Sequence, residues 1–120
     1  MKVLVIDDNP DHRDLIISKV RKAYPEADFQ QVIRQSMLEE ALLGPAPDVV
    51  LTDYRLQWST GLEVLAQVRE AFPNVPVLMV TDTGSEEVAA AGMKGGLSDY
   101  VLKGELHRLP LAIQESLTKS

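Results

Sequence analysis

Residues 3–8 read VLVIDD, an apolar run that stops at two acids, and residues 49–53 repeat this pattern as VVLTD. Both runs are typical of buried strands, and in each the acids stand where the strand gives way to a turn. Neighbouring parallel strands lie about 4.8 Å apart. If these two strands are neighbours, Asp7, Asp8 and Asp53 meet at one edge of the sheet.

Three carboxylates in one small pocket need a cation to hold them together. Two like charges about 4 Å apart repel by roughly 4 kcal/mol at an effective dielectric constant of about 20. A hard divalent cation, which prefers oxygen ligands, offsets that repulsion. The pattern therefore predicts a metal pocket in which one carboxylate stays free to accept a phosphoryl group.

Composition limits the classes of protein to which this chain can belong. Its 120 residues suit a single domain over residues 1–120. A net charge of −6 and a pI of about 4.8 argue against direct binding to nucleic acid or to an anionic membrane. The absence of cysteine excludes disulfides and thiolate chemistry. No signal peptide or membrane span is visible, so we expect a cytoplasmic location.

Apolar runs and helical segments alternate along the whole chain. The predicted strands cover residues 3–7, 28–33, 49–53, 77–80 and 99–102. The second and fifth runs are the more polar or the shorter ones, which suits the edges of a sheet. Alternating strands and helices indicate a parallel α/β sheet, whose ligands bind beyond the carboxyl ends of the strands.

Capping residues predict where the helices begin. Asn9 followed by Pro10 is typical of a helix start, and residues 36–39, 60–63 and 83–86 fit the capping-box pattern. Pro110 places the start of the last helix near Leu109. The alanine-rich fourth helix contains Gly92, so we expect it to be short and weakly packed.

Two more side chains follow strands at the same predicted edge. Thr81 ends the fourth apolar run with a hydroxyl, and Lys103 follows the fifth with an ammonium group. A lysine near a phosphate acts as a point charge. The edge therefore gathers acids, a hydroxyl and one cation, which is a set suited to phosphoryl chemistry.

Five motifs in order give the chain a family resemblance. They are VLVIDD at 3–8, VVLTDY at 49–54, GLEVL at 61–65, VLMVT at 77–81 and SDYVLK at 98–103. Together they resemble the receiver domain of response regulators in bacterial two-component signal transduction, including the chemotaxis regulators. The resemblance implies a doubly wound, flavodoxin-like (βα)5 fold with a five-stranded parallel sheet in the order 2-1-3-4-5.

The resemblance also implies roles for the acids. Asp53 is the phosphoacceptor, which takes its phosphoryl group from a histidine kinase or a histidine phosphotransfer protein. Asp7 and Asp8 hold Mg²⁺, with Mn²⁺ as another possible ion. Asp53 itself and the backbone carbonyl of Arg55 complete the metal ligands. Such a domain assists its own phosphorylation and dephosphorylation and is not an enzyme in the usual sense.

Other residues match the positions that respond to the phosphoryl group. Thr81 and Lys103 each bind a phosphoryl oxygen, and Tyr100 is the aromatic switch residue whose rotamer follows Thr81. The face formed by the fourth helix, fifth strand and fifth helix then changes, and partners or a second copy in a homodimer bind there. It is equally open that Tyr100 simply packs in the core and does not act as a switch.

The chain departs from the family pattern at two positions. Gln57 stands where most members have proline four residues after the acceptor, which predicts a more mobile loop. Gly104 stands where most have a proline after the lysine, and because a non-proline cis bond costs roughly 2.5–4 kcal/mol, a trans bond is favoured. Arg55 and Thr83 occupy the variable positions that tune dephosphorylation, and we expect Arg55 to slow the attack of water.

Two other classes of function compete with this reading. A pseudo-receiver, which is an interaction module that takes no phosphate, usually lacks one of the acids, and none is missing here. A flavodoxin-like cofactor binder needs a Ser/Thr/Gly-rich phosphate loop after the first strand, and IDDNPD at 6–11 is opposite in charge. His12 and His107 show no metal spacing and are predicted to be surface residues, and Trp58 a half-exposed loop residue.

Overall fold

The computed structural model describes residues 1–82 and 84–119, in which strands and helices alternate. The strands are β1 (Lys2–Ile6), β2 (Asp28–Val32), β3 (Val49–Thr52), β4 (Val77–Thr81) and β5 (Asp99–Leu102). The α-helices are α1 (Pro10–Ala23), α2 (Gln35–Leu43), α3 (Gly61–Ala71), α4 (Glu86–Lys94) and α5 (Leu109–Thr118). A 3-10 helix, Lys103–Arg108, connects β5 to α5.

All five strands form one parallel sheet in the order β2-β1-β3-β4-β5. The predicted α/β fold, its strand order and the two edge strands are therefore confirmed. In the register of β1 and β3, Ile6 lies opposite Thr52. The residues that follow, Asp7 and Asp53, consequently leave the sheet side by side.

The core has two layers, one on each face of the sheet, because successive side chains of a strand point to opposite faces. In β1, Val3 and Val5 face one layer, whereas Leu4 and Ile6 face the other. The first layer is completed by buried residues of α1 and α5, and the second by those of α2 and α3. Strands β1, β3 and β4 are thus covered on both faces, as their continuous apolar runs predict.

The strand limits differ slightly from the predicted ones. β1 and β3 end at Ile6 and Thr52, so Asp7 and Asp53 lie in the turns rather than in the strands. β2 ends one residue earlier than predicted, at Val32, and β4 continues through Thr81. Asp7 and Asp53 thus lie just beyond the carboxyl ends of β1 and β3, at the edge of the sheet where they were predicted to meet.

Two of the predicted helix caps are confirmed. The side chain of Asn9 accepts hydrogen bonds from the backbone N–H groups of Asp11 and His12, and Pro10 is the first helical residue. The Thr60 hydroxyl accepts from the N–H of Glu63 at 3.3 Å. α5 begins at Leu109, as Pro110 predicts.

The other two predicted caps are wrong. α2 begins at Gln35, after an Arg34 cap with no side-chain hydrogen bond, so Ser36 already lies within the first turn. α4 begins at Glu86, and its cap is Ser85, whose hydroxyl accepts from the N–H of Val88 at 3.3 Å. Thr83, predicted both as a cap and as a tuning residue, lies outside the described residues.

α4 is short and loosely held, as predicted. It has nine residues, of which only Gly92 is buried. A Cβ added at Gly92 would come within 2.8 Å of a Leu97 methyl carbon, so glycine lets the helix pack closely against the segment that leads into β5. Within residues 1–82 and 84–119, no helix is both long and apolar enough to cross a membrane.

Candidate functional site

Lys103 links the two acids that follow β1 and β3. Its Nζ lies 2.8 Å from Asp7 Oδ2 and 2.8 Å from Asp53 Oδ2. The side chains are buried, with exposures of 8% for Lys103, 2% for Asp7 and 10% for Asp53. Because β4 separates β3 from β5, the lysine must extend past the end of β4 to reach them. The predicted meeting of these three side chains is what the structure shows.

Backbone hydrogen bonds fix the position of Asp53. Its N–H donates to the carbonyl of Ile6 at 2.9 Å, which ties the turn after β3 to β1. Its carboxylate oxygen Oδ1 accepts from the N–H of Tyr54 at 2.7 Å. The Thr52 hydroxyl donates to the Asp53 carbonyl at 2.9 Å. One carboxylate oxygen is therefore held by the chain, and the other, Oδ2, by Lys103.

Asp7 has one oxygen without a hydrogen bond. Its Oδ1 accepts from the N–H of Asn9 at 2.9 Å, which also shapes the start of α1. Its Oδ2 is buried and accepts no hydrogen bond within the described residues. The approach of Lys103 to this oxygen is thus an ion pair without the alignment of a hydrogen bond. A buried carboxylate oxygen in this state is well suited to a metal ion.

Asp8 points away from the other two acids and toward the loop after β3. Its Oδ2 accepts from the backbone N–H of Gln57 at 2.5 Å, and its Oδ1 accepts from the indole Nε1–H of Trp58 at 3.0 Å. Trp58 is a partly buried loop residue, as predicted, but its bond to Asp8 was not predicted. The proline that most receiver domains have at position 57 could not donate this N–H.

Arg55 lies in the loop after β3 and is exposed to solvent. The chain from Tyr54 to Gly61 folds back on itself, with Arg55 opposite Thr60 in an isolated antiparallel bridge. The two hydrogen bonds of this bridge run from Gly61 N–H to Tyr54 carbonyl at 2.7 Å and from Leu56 N–H to Ser59 carbonyl at 3.3 Å. Neither bond uses the Arg55 carbonyl.

Thr81 and Tyr100 lie on the β4 and β5 side of the site. Thr81 is the last residue of β4 and is 2% exposed. Tyr100 is half-buried beside the second core layer, and its hydroxyl accepts from the N–H of Ser85 at 3.3 Å. Tyr100 therefore contacts both the core and the residue that caps α4, and its role as a switch stays a prediction.

His12 is a member of the site that the sequence interpretation missed. It was predicted to be a surface residue, but its Nδ1 lies 2.7 Å from Lys103 Nζ. Because lysine only donates, Nδ1 must be unprotonated to accept. The available signal was its place in the first turn of α1, four residues after Asp8. His107 is exposed, as predicted.

The electrostatic surroundings keep Lys103 charged. Burial lowers the pKa of Lys103, but its interactions with Asp53 and Asp7 raise the pKa by more, so the net value is above that of a free lysine. The peptide bond to Gly104 is trans, since residues 1–82 and 84–119 contain no cis bond. A trans bond therefore does not prevent the lysine from reaching both acids.

The donor set fits a divalent cation, although its members are not gathered around one point. Three carboxylates and a backbone carbonyl are hard oxygen ligands, and the buried Asp7 Oδ2, although paired with Lys103, accepts no hydrogen bond from the described residues. Within the described part of the chain, however, no three acidic or histidine side chains are grouped closely enough to bind one ion. Asp8, turned toward Gln57 and Trp58, accounts for this separation.

Comparison with known proteins identifies the family. Residues 3–114 match the response regulator receiver domain. The chain belongs to this family. Receiver domains of two-component systems generally bind Mg²⁺ and interact with histidine kinases.

Individual relatives agree with this assignment. The receiver domain is 30% identical over 102 residues to the response regulator protein PilR of Pseudomonas aeruginosa, covering 85% of this chain and 22% of PilR. It is 31% identical to the C4-dicarboxylate transport transcriptional regulatory protein DctD of the same organism, with the same coverage. The chain thus spans about a fifth of these relatives' length.

A solved receiver structure shows the same fold. The receiver domain of NtrX from Brucella abortus superimposes with a TM-score of 0.86 and 28% sequence identity, covering 98% of this chain and 99% of the other. The receiver domain of a Clostridium thermocellum protein gives a TM-score of 0.86 at 23% identity. The predicted family and fold are both confirmed.

Proposed function

We propose that this receiver domain accepts a phosphoryl group on Asp53 from the phosphohistidine of a histidine kinase or a histidine phosphotransfer protein. The observation that carries the proposal is the position of Asp53 Oδ2, which is 2.8 Å from Lys103 Nζ in a buried pocket next to Asp7. The Asp53 carboxylate is positioned to attack phosphorus. The Lys103 ammonium next to it is positioned to neutralise the negative charge of the phosphoryl oxygens.

The proposed reaction exchanges one bond to phosphorus for another. An Asp53 oxygen attacks in line, a P–O bond forms, and the P–N bond to the histidine breaks. The electrons of the P–N bond go to the ring nitrogen, and with the other nitrogen protonated the histidine leaves as neutral imidazole. Lys103 and Thr81 donate hydrogen bonds to oxygens of the transferred group.

The metal site is proposed for the same pocket. Asp7, Asp8 and Asp53, with the Arg55 carbonyl, would hold Mg²⁺, and Mn²⁺ could replace it. When bound, the ion would supply positive charge against the phosphoryl oxygens. The buried Oδ2 of Asp7 supports this role, because it accepts no hydrogen bond from the described residues.

The signal is proposed to leave the site through β4 and β5. Thr81 moves toward the phosphoryl group, which makes room for Tyr100 to turn inward and to release the N–H of Ser85. The face made of α4, β5 and α5 then changes its population of conformations, and partners or a second copy bind to it. The loose packing of α4 supports this route, since a weakly held element shifts at low cost.

Dephosphorylation is proposed to be slowed by Arg55. Its exposed side chain can cover the phosphoryl group and keep water from the phosphorus. Arg55→Ala is therefore expected to shorten the lifetime of the phosphorylated form by severalfold, and a lifetime that lengthens would contradict this role.

We propose a cytoplasmic location and a phosphoacceptor role rather than that of an enzyme in the usual sense.

Phosphorylation by a small donor tests the proposed function. The protein is incubated with acetyl phosphate, with and without Mg²⁺, and its intact mass is followed. We expect a gain of one phosphoryl group that depends on Mg²⁺ and is absent from Asp53→Asn. A wild-type protein that gains none under these conditions would instead support the pseudo-receiver, a module that binds partners without phosphate.

A further inference from the structure

We propose that the backbone N–H of Gln57 and the indole N–H of Trp58 form a latch on Asp8 that competes with the divalent cation. The proposal rests on the proposed function, because it concerns the metal site of that reaction. In the closed latch both Asp8 oxygens accept a hydrogen bond from the loop after β3, at 2.5 Å from Gln57 and 3.0 Å from Trp58.

The latch explains why the three acids are not gathered around one point. Asp7 and Asp53 are already held together by Lys103. Asp8 lies next to Asp7 in sequence, yet its carboxylate is directed at a loop 49 and 50 residues away in the chain. Asp8 must give up at least one loop donor before it joins the other acids at a common ion.

The two hydrogen bonds from the loop stabilise the negative charge of Asp8. Among residues 1–82 and 84–119, the ion pairs of the site belong to Lys103, and Asp8 is not part of them. The loop N–H groups are therefore the donors that stabilise its carboxylate, and hydrogen bonds to a charged group are among the stronger ones. A cation and the loop thus offer alternative partners for the same negative charge.

The latch depends on two residue types at neighbouring positions. Gln57 supplies an N–H that the proline of most family members lacks. Trp58 supplies a donor only tryptophan carries, on a ring that packs partly against the second core layer. That packing holds the indole in place, so its N–H is already positioned to donate to Asp8.

Opening of the latch couples metal binding to the loop that carries Arg55. When Asp8 leaves one or both of its donors, the loop loses hydrogen bonds that tie it to the turn between β1 and α1. The environment of Trp58 then changes, and because the chain has a single tryptophan its fluorescence reports this step directly.

Two variants remove one donor each. Trp58→Phe keeps an aromatic ring but has no N–H, and Gln57→Pro deletes the backbone N–H. Mn²⁺ affinity is measured by the electron paramagnetic resonance signal of the free ion, on protein whose folding is checked by circular dichroism. Each variant is expected to bind Mn²⁺ about three- to tenfold more tightly than wild type, because one competing hydrogen bond is gone.

Gln57→Ala is the matched control for the proline variant. It changes the side chain but keeps the N–H, so wild-type Mn²⁺ affinity is expected. In the wild-type protein Mg²⁺ should also shift Trp58 fluorescence, and Asp8→Ala should abolish that shift.

The outcomes separate the latch from the proposed function. Unchanged or weaker Mn²⁺ binding in both Trp58→Phe and Gln57→Pro would overturn the latch, since the loop would then be neutral or would orient Asp8 for the ion. Failure of the wild-type protein to bind Mn²⁺ at all would instead remove the proposed function on which the latch depends.

Discussion

Helices α3 and α4 lie against the same face of the sheet but are held to very different degrees. α3 buries four residues, Gly61, Val64, Leu65 and Val68, whereas α4 buries only Gly92. α3 begins directly after the acceptor loop, and α4 begins where Ser85 bonds to Tyr100. α3 is therefore firmly packed beside the turn that carries Asp53, whereas α4 is an element that can shift at low cost.

The largest expected effect distinguishes the cores of the two helices. Leu65→Ala removes a side chain that is 2% exposed and should lower the free energy of unfolding by about 3 kcal/mol. Val88→Ala in α4 removes a half-buried side chain, and a loss below about 1 kcal/mol is expected. Urea denaturation measures both, and equal losses would refute the contrast between the helices.

Removal of the central cation comes next. Lys103→Met leaves two buried carboxylates without their ion pair and should cost about 2 kcal/mol when no divalent cation is present. Because the folded pKa of Lys103 is raised, its contribution is complete below the usual lysine value of about 10.5 and is lost as pH rises through the folded pKa.

The pH dependence gives this prediction its control. The difference in unfolding free energy between wild type and Lys103→Met should be constant from neutral pH to about 10.5 and should shrink above it. Taking the difference removes the titration of the other groups. A difference that grows at alkaline pH would show that the lysine is not stabilised by the acids.

Two glycines give a matched comparison inside and beside the site. A Cβ at Gly61 would lie 2.6 Å from the Asp53 carbonyl oxygen, so Gly61→Ala should cost about 1–2 kcal/mol and slow phosphorylation by displacing the acceptor. A Cβ at Gly104 meets nothing within 4 Å, and Gly104→Ala should change stability by less than about 0.5 kcal/mol. Denaturation and intact-mass kinetics on both variants check this, and similar behaviour of the two would contradict it.

The smallest effect concerns the contact between β5 and α4. Tyr100→Phe removes the hydroxyl that accepts from Ser85, at a cost of less than about 1 kcal/mol. The first turn of α4 should then open more often, which amide hydrogen exchange at Ser85 detects as faster exchange. Unchanged exchange at that amide would show that Tyr100 does not restrain α4.

The sequence was sufficient to predict most of the fold. The apolar runs predict the strands because β1, β3 and β4 are buried on both faces, and Asn9, Thr60 and Pro110 mark the starts of their helices correctly. The cap at residues 36–39 failed because Gln35 joins the helix and bonds to Glu39 and Gln67 instead. The local capping pattern does not predict the hydrogen bond from Gln35 to Gln67, which is 32 residues away.

The site was predictable where its residues follow strands, and not elsewhere. Asp7, Asp53 and Lys103 meet because parallel strands bring their carboxyl ends to one edge. The contact of His12 with Lys103 spans 91 residues, and that of Trp58 with Asp8 spans 50. The spacing of His12 from Asp8 places it near the site, but its bond to Lys103 and that of Trp58 to Asp8 depend on rotamers and loop paths that the sequence pattern does not specify.

Chemical trapping identifies the residue that accepts the phosphoryl group. The protein is phosphorylated with acetyl phosphate and Mg²⁺, reduced with borohydride, and digested for peptide mass spectrometry. Reduction of an aspartyl phosphate converts that residue to homoserine. The proposed acceptor predicts homoserine at position 53 in the Mg²⁺-treated sample only. Homoserine at position 7 or 8, or at no position, would contradict it.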